Sequence, residues 1–252
     1  VLTDDIKSKE IEVPEGAVES ADPLVLTERD IAVLQFAHEQ RYLCYNQISD
    51  TFWKGCSEDA NACKHRVAKL VTAGFLSKKY SGRKQVDVYF STEKAVEALK
   101  ARSLDSGILA LKFTRDFERY ISHDLHVTNI RMLFRELGWR EWTSERVLRE
   151  RDHYYHRPDG VLMVRGQKIA IEFENRITKG KLRYKEMFDY YDGHAGYKLL
   201  FVIIRKDIRD WLLDLKYDAR KVWFASYEDL MELKEKTVFE NMRSTFELWR
   251  LL

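Results

Sequence analysis

The chain has 252 residues, 45% of them hydrophobic, and its 43 basic and 41 acidic side chains leave a formal net charge of +2. That suffices for two modest domains or one large one around an ordinary core. No apolar run approaches the roughly 20 residues that cross a bilayer, so a soluble, cytoplasmic protein with no membrane partner is expected.

The three cysteines, Cys44, Cys56 and Cys63, are odd in number and lack zinc-finger spacing, which predicts small buried thiols rather than disulfides or a metal site. Residues 1 to 22 carry seven acids against two lysines and predict an acidic N-terminal arm, disordered or loosely docked, over 1–25. In contrast, residues 64 to 84 carry seven Lys or Arg and no acid. A basic stretch of that kind is a candidate phosphate-contacting surface if a fold stands behind it.

Thr27 followed by Asp30 has capping-box spacing, and Ile31, Leu34 and Ala37 repeat at helical intervals, which predicts a first helix ending near Gln40. Tyr45 to Trp53 predicts a second, short helix, and Ser57 can cap a third running to about Ala73. Gly74 stops it. The third helix leaves Asn61, Lys64, His65, Arg66 and Lys69 as long or hydrogen-bonding side chains able to reach a base edge or a phosphate. Beyond Gly74 the pattern alternates, and Phe75 to Tyr80 and Val86 to Phe90 flank the basic tip Ser81-Gly82-Arg83-Lys84 as a hairpin. Thr92 caps a further helix.

Three helices followed by a basic hairpin, with Ala73-Gly74-Phe75-Leu76 as the turn between them, resemble a winged helix-turn-helix over residues 26–102. The resemblance implies double-stranded DNA as partner. The third helix would enter the major groove while Lys78, Lys79, Arg83 and Lys84 hold the backbone. The alternative is a winged helix used for protein contacts alone.

Ser103 to Gly107 reads as a break, giving a linker over 103–112. From Phe113 to Leu137 the apolar spacing is helical again, and this helix carries His123 and His126 three apart, either as metal ligands or as hydrogen-bonded packing residues. Three strands follow, at Trp139–Thr143, Gly160–Val164 and Ile169–Phe173, with Ser144 to Asp152 a charged stretch between the first two. A helix over Lys179–Tyr191 should bury Leu182, Met187 and Tyr190. Tyr197–Ile204 and Val222–Ala225 have the unbroken apolar character of strands buried on both faces, each followed by a helix. The predicted fold class is therefore α+β or α/β in two domains, the second (113–252) a mixed sheet flanked by helices. Phe246, Leu248, Trp249, Leu251 and Leu252 can close this domain's own core or support a homodimer.

Asp159 opens one of these strands; Glu172 and Glu174 close the next and, being two apart, share one sheet face. With the cations that follow, this suits either a divalent metal held against phosphate or a metal-free ion-pair cluster with Arg176 and the lysines. Pro158-Asp159 and Glu172-x-Glu174 in this strand order resemble the PD-(D/E)XK nuclease core. That resemblance implies Asp159, Glu172 and Glu174 as ligands of Mg²⁺ or Mn²⁺ and as catalytic residues. The third position departs, being Glu174 where the pattern has Lys; Lys179 or Lys181 on the next helix would supply the missing charge.

Together with His123-Asp124-Leu125-His126-Val127 and the basic helix after the site, the whole is similar to the replication-relaxation family of plasmid and mobile-element proteins. It implies a DNA-binding protein of regulatory or replication type with a nuclease-like second domain. The alternatives are an active Mg²⁺-dependent endonuclease, making a nick or a double-strand cut, and a protein-interaction scaffold.

Overall fold

The computed structural model describes residues 24–54, 60–104, 106–111, 117–151, 156–177, 180–193, 196–213 and 220–251. The expected acidic arm (through residue 23), Cys56, the Ser57 cap and Lys179 lie outside them. The architecture is two-domain: an N-terminal, largely helical region and a C-terminal mixed sheet flanked by helices.

The N-terminal region runs α1 (Glu28–Gln40), β1 (Leu43–Cys44), α2 (Tyr45–Phe52), α3 (Ala60–Thr72), β2 (Leu76–Ser81), β3 (Val86–Ser91) and α4 (Glu93–Lys100). The capping box forms as spaced: Thr27 Oγ1 accepts from the Asp30 amide, while Asp30 accepts from the Thr27 amide at 2.7 Å. Thr92 caps α4 through the Ala95 amide. The two-residue strand β1 pairs with β3 to give a sheet ordered β1-β3-β2. Nothing in a two-residue run distinguishes it from loop, because only its partner's hydrogen bonds make it a strand. Leu34, Ile48, Val67 and Leu70 pack in the core of this region, and Cys44 and Cys63 are free thiols.

Asp30 also receives Arg66 of α3, whose Nε donates to Oδ1 at 2.9 Å and whose Nη2 bonds Oδ2 and the Val25 carbonyl. Burial raises the Asp30 carboxyl, but Arg66 and Thr27 outweigh it and hold its pKa below the ordinary value. A depressed carboxylate contributes stability that is fully present above its unfolded pKa and is lost as pH falls through the lower folded value. Urea midpoints measured from neutral to acid pH should therefore show an acid decline that Asp30→Asn makes shallower. An unchanged decline in that variant would assign it to other carboxylates.

The second domain hangs on α5 (Phe117–Glu136), followed by β4 (Trp142–Ser144), α6 (Glu145–Arg151), β5 (Gly160–Val164), β6 (Gln167–Glu174), α7 (Lys181–Gly193), β7 (Leu199–Ile204), α8 (Lys206–Leu213), β8 (Val222–Ser226), α9 (Tyr227–Leu233), β9 (Val238–Glu240) and β10 (Thr245–Glu247). The sheet order is β10-β9-β8-β7-β6-β5-β4, with β6, β7 and β8 parallel and the outer pairs antiparallel. Arg165 and Gly166 turn β5 into β6 with φ of 49° and 74°, the paired positive values of a tight hairpin. The parallel pairs are joined by α7 and α8, both packed on one sheet face, while α5 and α9 cover the other.

Two expectations need correction here, and one open alternative is decided. Ser144 to Asp152 contains helix α6, which buries Val147 and Leu148 between charged positions. Leu182 is 71% exposed and Tyr190 only half-buried; α7 buries Met187 as expected, together with Tyr184, Phe188 and Tyr191. The apolar C-terminus folds back on its own sheet: Leu248 is fully buried, with Phe246 and Leu251 against the same core. Strands β9 and β10 extend the sheet by two short members that carry no apolar run of their own. Among the described residues no helix is long and apolar enough to cross a membrane.

The two domains share contacts along α5. Gln47 of α2 donates to the Leu125 carbonyl at 2.9 Å and to Asn129 at 2.7 Å, and Tyr42, Val88 and Ile121 form a small joint core.

Candidate functional site

Alternation along β6 sends Ile171 and Phe173 into the α5 side of the sheet and Glu172 and Glu174 toward α7. The two glutamates are buried, only 7% and 6% exposed, so they are not solvent-facing strand ends. Helix α7 runs back along the strand, so its first buried tyrosine meets the last glutamate. Tyr184 donates to Glu174 at 3.1 Å and Tyr191 donates to Glu172 at 3.0 Å. Burial, then the Glu172 charge, pushes the Tyr191 phenol far up, so it stays a donor.

Asp159 sits just before β5, beside Phe173 of β6. Its Oδ2 accepts from the Phe173 amide at 2.8 Å and faces Nε2 of His123 at 3.2 Å. The same Nε2 is 3.1 Å from the Phe173 carbonyl, and Nδ1 is 3.3 Å from Asp124 Oδ1. Both ring nitrogens therefore face acceptors, which suits the doubly protonated ring. Burial opposes that charge, but Asp159 and Asp124 hold the His123 pKa well above its ordinary value. His126 has the packing role: it stacks on Phe173 at 5.1 Å and meets Tyr227 edge-on at 4.7 Å.

Asp124 carries the cluster across to the N-terminal domain. It accepts from Tyr42 at 2.8 Å and pairs with Arg41 at 3.0 Å, and Arg41 also pairs with Glu145 at 2.9 Å. Arg41 closes α1 at φ 76° and ψ −56°, a rare and strained γ-turn conformation for a residue with a side chain. Its guanidinium is anchored by Asp124 and Glu145 of the second domain.

Asp159, Glu172, Glu174 and His123 line one cleft of about 800 Å³. Among the described residues, however, no three His, Cys, Asp or Glu side chains gather closely enough to hold a metal ion. Each of the three expected ligands accepts a hydrogen bond from the protein, Asp159 from the Phe173 amide, Glu172 from Tyr191 and Glu174 from Tyr184. The Lys181 ammonium lies 5.9 Å from the Trp211 ring, and Lys181 is not among the residues lining the cleft.

The residues expected to meet DNA separate into groups. Asn61, Lys64, His65 and Lys69 are exposed on α3, whereas Arg66 is drawn inward by Asp30 and Val25. Lys78 pairs with Asp87 across the hairpin at 3.1 Å, and Lys79 lies 4.5 Å from the ring of Phe117. Arg83 and Lys84 line the cleft beside the carboxylates. Sequence reasoning missed Tyr184 and Tyr191, although their seven-residue spacing, about two helical turns, put both on one face of a helix that follows Glu172 and Glu174. Arg41, Tyr42 and Asp124 gave no signal, since their meeting depends on how two domains dock.

No family model, no curated protein and no solved structure matches this chain.

Proposed function

We propose that the chain is a DNA-binding protein of regulatory or plasmid and mobile-element replication type, in which α3 reads double-stranded DNA. The order α1, β1, α2, α3, β2, β3, with the sheet ordered β1-β3-β2, supports a winged helix-turn-helix. A sheet in which Asp159 precedes β5 and Glu172 and Glu174 end β6, followed by a crossover helix, supports PD-(D/E)XK-like ancestry for the second domain. No cutting step is assigned to Asp159, Glu172 and Glu174, since among the described residues no group of three such side chains could hold a metal ion.

One observation carries the proposal. Asn61, Lys64, His65, Ala68, Lys69 and Thr72 are all exposed, and their spacing of three, one, three, one and three places them on a single face of α3. That face combines two cations for phosphates with Asn and His for base edges, and small residues that let the helix approach closely.

Fluorescence anisotropy with a labelled duplex of mixed sequence tests it. The double variant Lys64→Ala, Lys69→Ala should bind more weakly, and the slope of log affinity against log salt should fall by about 2, near 0.9 for each lost phosphate contact. Affinity indifferent to salt and to both substitutions would end this reading.

A further inference from the structure

The hairpin tip is exposed but tethered to α5. Ser81 Oγ donates to Glu118 Oε2 at 2.7 Å, the Gly82 amide donates to Oε1 of the same carboxylate at 3.1 Å, and Arg83 reaches the Glu118 carbonyl at 3.5 Å. One side chain at the start of α5 thus receives the turn. A tip held there places Arg83 and Lys84 on the lining of the cleft that contains Asp159, Glu172 and Glu174.

Other side chains of the cleft suit the same kind of ligand. Arg157 and Arg176 are exposed on its sheet side, and Tyr120, 49% exposed, lies on its wall with the Arg119 guanidinium 5.5 Å from the ring centroid. Cations contributed by two domains and an exposed aromatic ring lining the same cleft are the parts of a single-strand site: phosphates meet the cations, and any base can stack on the ring. A volume of about 800 Å³ is of small-ligand size, which suits a few nucleotides rather than a duplex.

We infer that the hairpin tip and the sheet jointly form a second nucleic-acid site, in which Arg83 and Lys84 from one domain and Arg157 and Arg176 from the other hold the phosphates of a single strand while Tyr120 stacks on a base. This rests on the nucleic-acid reading above, but it moves the hairpin cations from the duplex to the cleft.

The test uses the full chain and a short labelled oligothymidylate, with inorganic polyphosphate as competitor and the labelled duplex in parallel. The pair Arg83→Ala, Lys84→Ala and the pair Arg157→Ala, Arg176→Ala should each lower the salt slope for the oligonucleotide by about 1.4, near 0.7 for each contact. Tyr120→Ala should weaken it about tenfold or more. Lys64→Ala with Lys69→Ala should spare the oligonucleotide and weaken only the duplex. All five positions of the cleft set are exposed, so the variants should keep the wild-type melting profile.

If the hairpin pair weakens the duplex together with the α3 pair and leaves the oligonucleotide unchanged, the inference is overturned while the proposed function stands. Equal competition by polyphosphate with no effect of Tyr120→Ala would overturn the assignment to a nucleic-acid strand. Failure to bind either DNA would overturn the proposed function and this inference with it.

Discussion

Arg131→Ala is expected to destabilise the protein by about 3–5 kcal/mol, the usual cost of leaving one partner of a buried ion pair without the other. Arg131 leaves α5 and pairs with Glu39 of α1 at 2.6 Å, with side-chain exposures of only 10% and 9%. Its guanidinium also lies 4.0 Å from the Phe36 ring centroid. Gln40, with its amide turned to satisfy both donors, accepts from Arg131 at 3.3 Å and from Trp142 at 3.2 Å. Truncation removes the cation, the stacked plane and a shared hydrogen bond together. Glu39 would keep Gln35 at 3.1 Å and Ser106 at 3.2 Å, neither of which carries a compensating charge.

Urea unfolding at neutral pH measures the loss. Because the pair joins a helix of each domain, separate transitions in the variant where the wild type has one would show that it also couples them. Arg131→Met combined with Glu39→Gln should recover much of the loss, since a buried pair replaced as a unit leaves no orphaned charge. A loss within about 0.5 kcal/mol for Arg131→Ala, the size of an ordinary surface change, would mean that water reaches Glu39.

Gly160→Ala is expected to cost about 3 kcal/mol or more, at or above the top of the usual overpacking range. A Cβ at this position would lie 1.9 Å from Cζ2 of Trp142 and 2.4 Å from Cε2, far inside contact distance, so the indole must move. The indole is packed among Phe134, Leu162 and the rest of the sheet core and has little room to do so. Gly160 is also paired with Ser144 on one side and Ile171 on the other, and it follows Asp159 directly. The substitution should therefore disturb the carboxylate cluster along with the fold. Thermal unfolding reads the first effect, and the chemical shift of the His123 ring, which faces Asp159 at 3.2 Å, reads the second. A variant as stable as wild type would mean that β4 is free to shift away from β5.

Gly160 shows why part of the site was legible and part was not. The Pro158-Asp159 pair and the apolar run after it mark a strand start, and the β period of two puts Glu172 and Glu174 on one face whatever surrounds them. The absence of a side chain at Gly160, by contrast, is explained only by an indole delivered from β4. Arg66 makes the same point on α3: its residue type suits a phosphate, but Asp30, thirty-six positions earlier, takes it inward.

By itself the sequence determined the local elements whose cause is local. Thr27 with Asp30, and Thr92, start helices by bonding their own first turns; the unbroken apolar runs at 199–204 and 222–225 make buried strands; and the 3.6-residue period sets the outer face of α3. Only the tertiary structure decided what each polar group faces. It bound the glutamates to Tyr184 and Tyr191, placed His123 between Asp124 and Asp159, exposed Leu182, and set the hairpin tip on Glu118. The physical reason is that a buried charge must find its partner wherever docking brings one, and most of these partners are contributed by other elements of the chain, which no local pattern records.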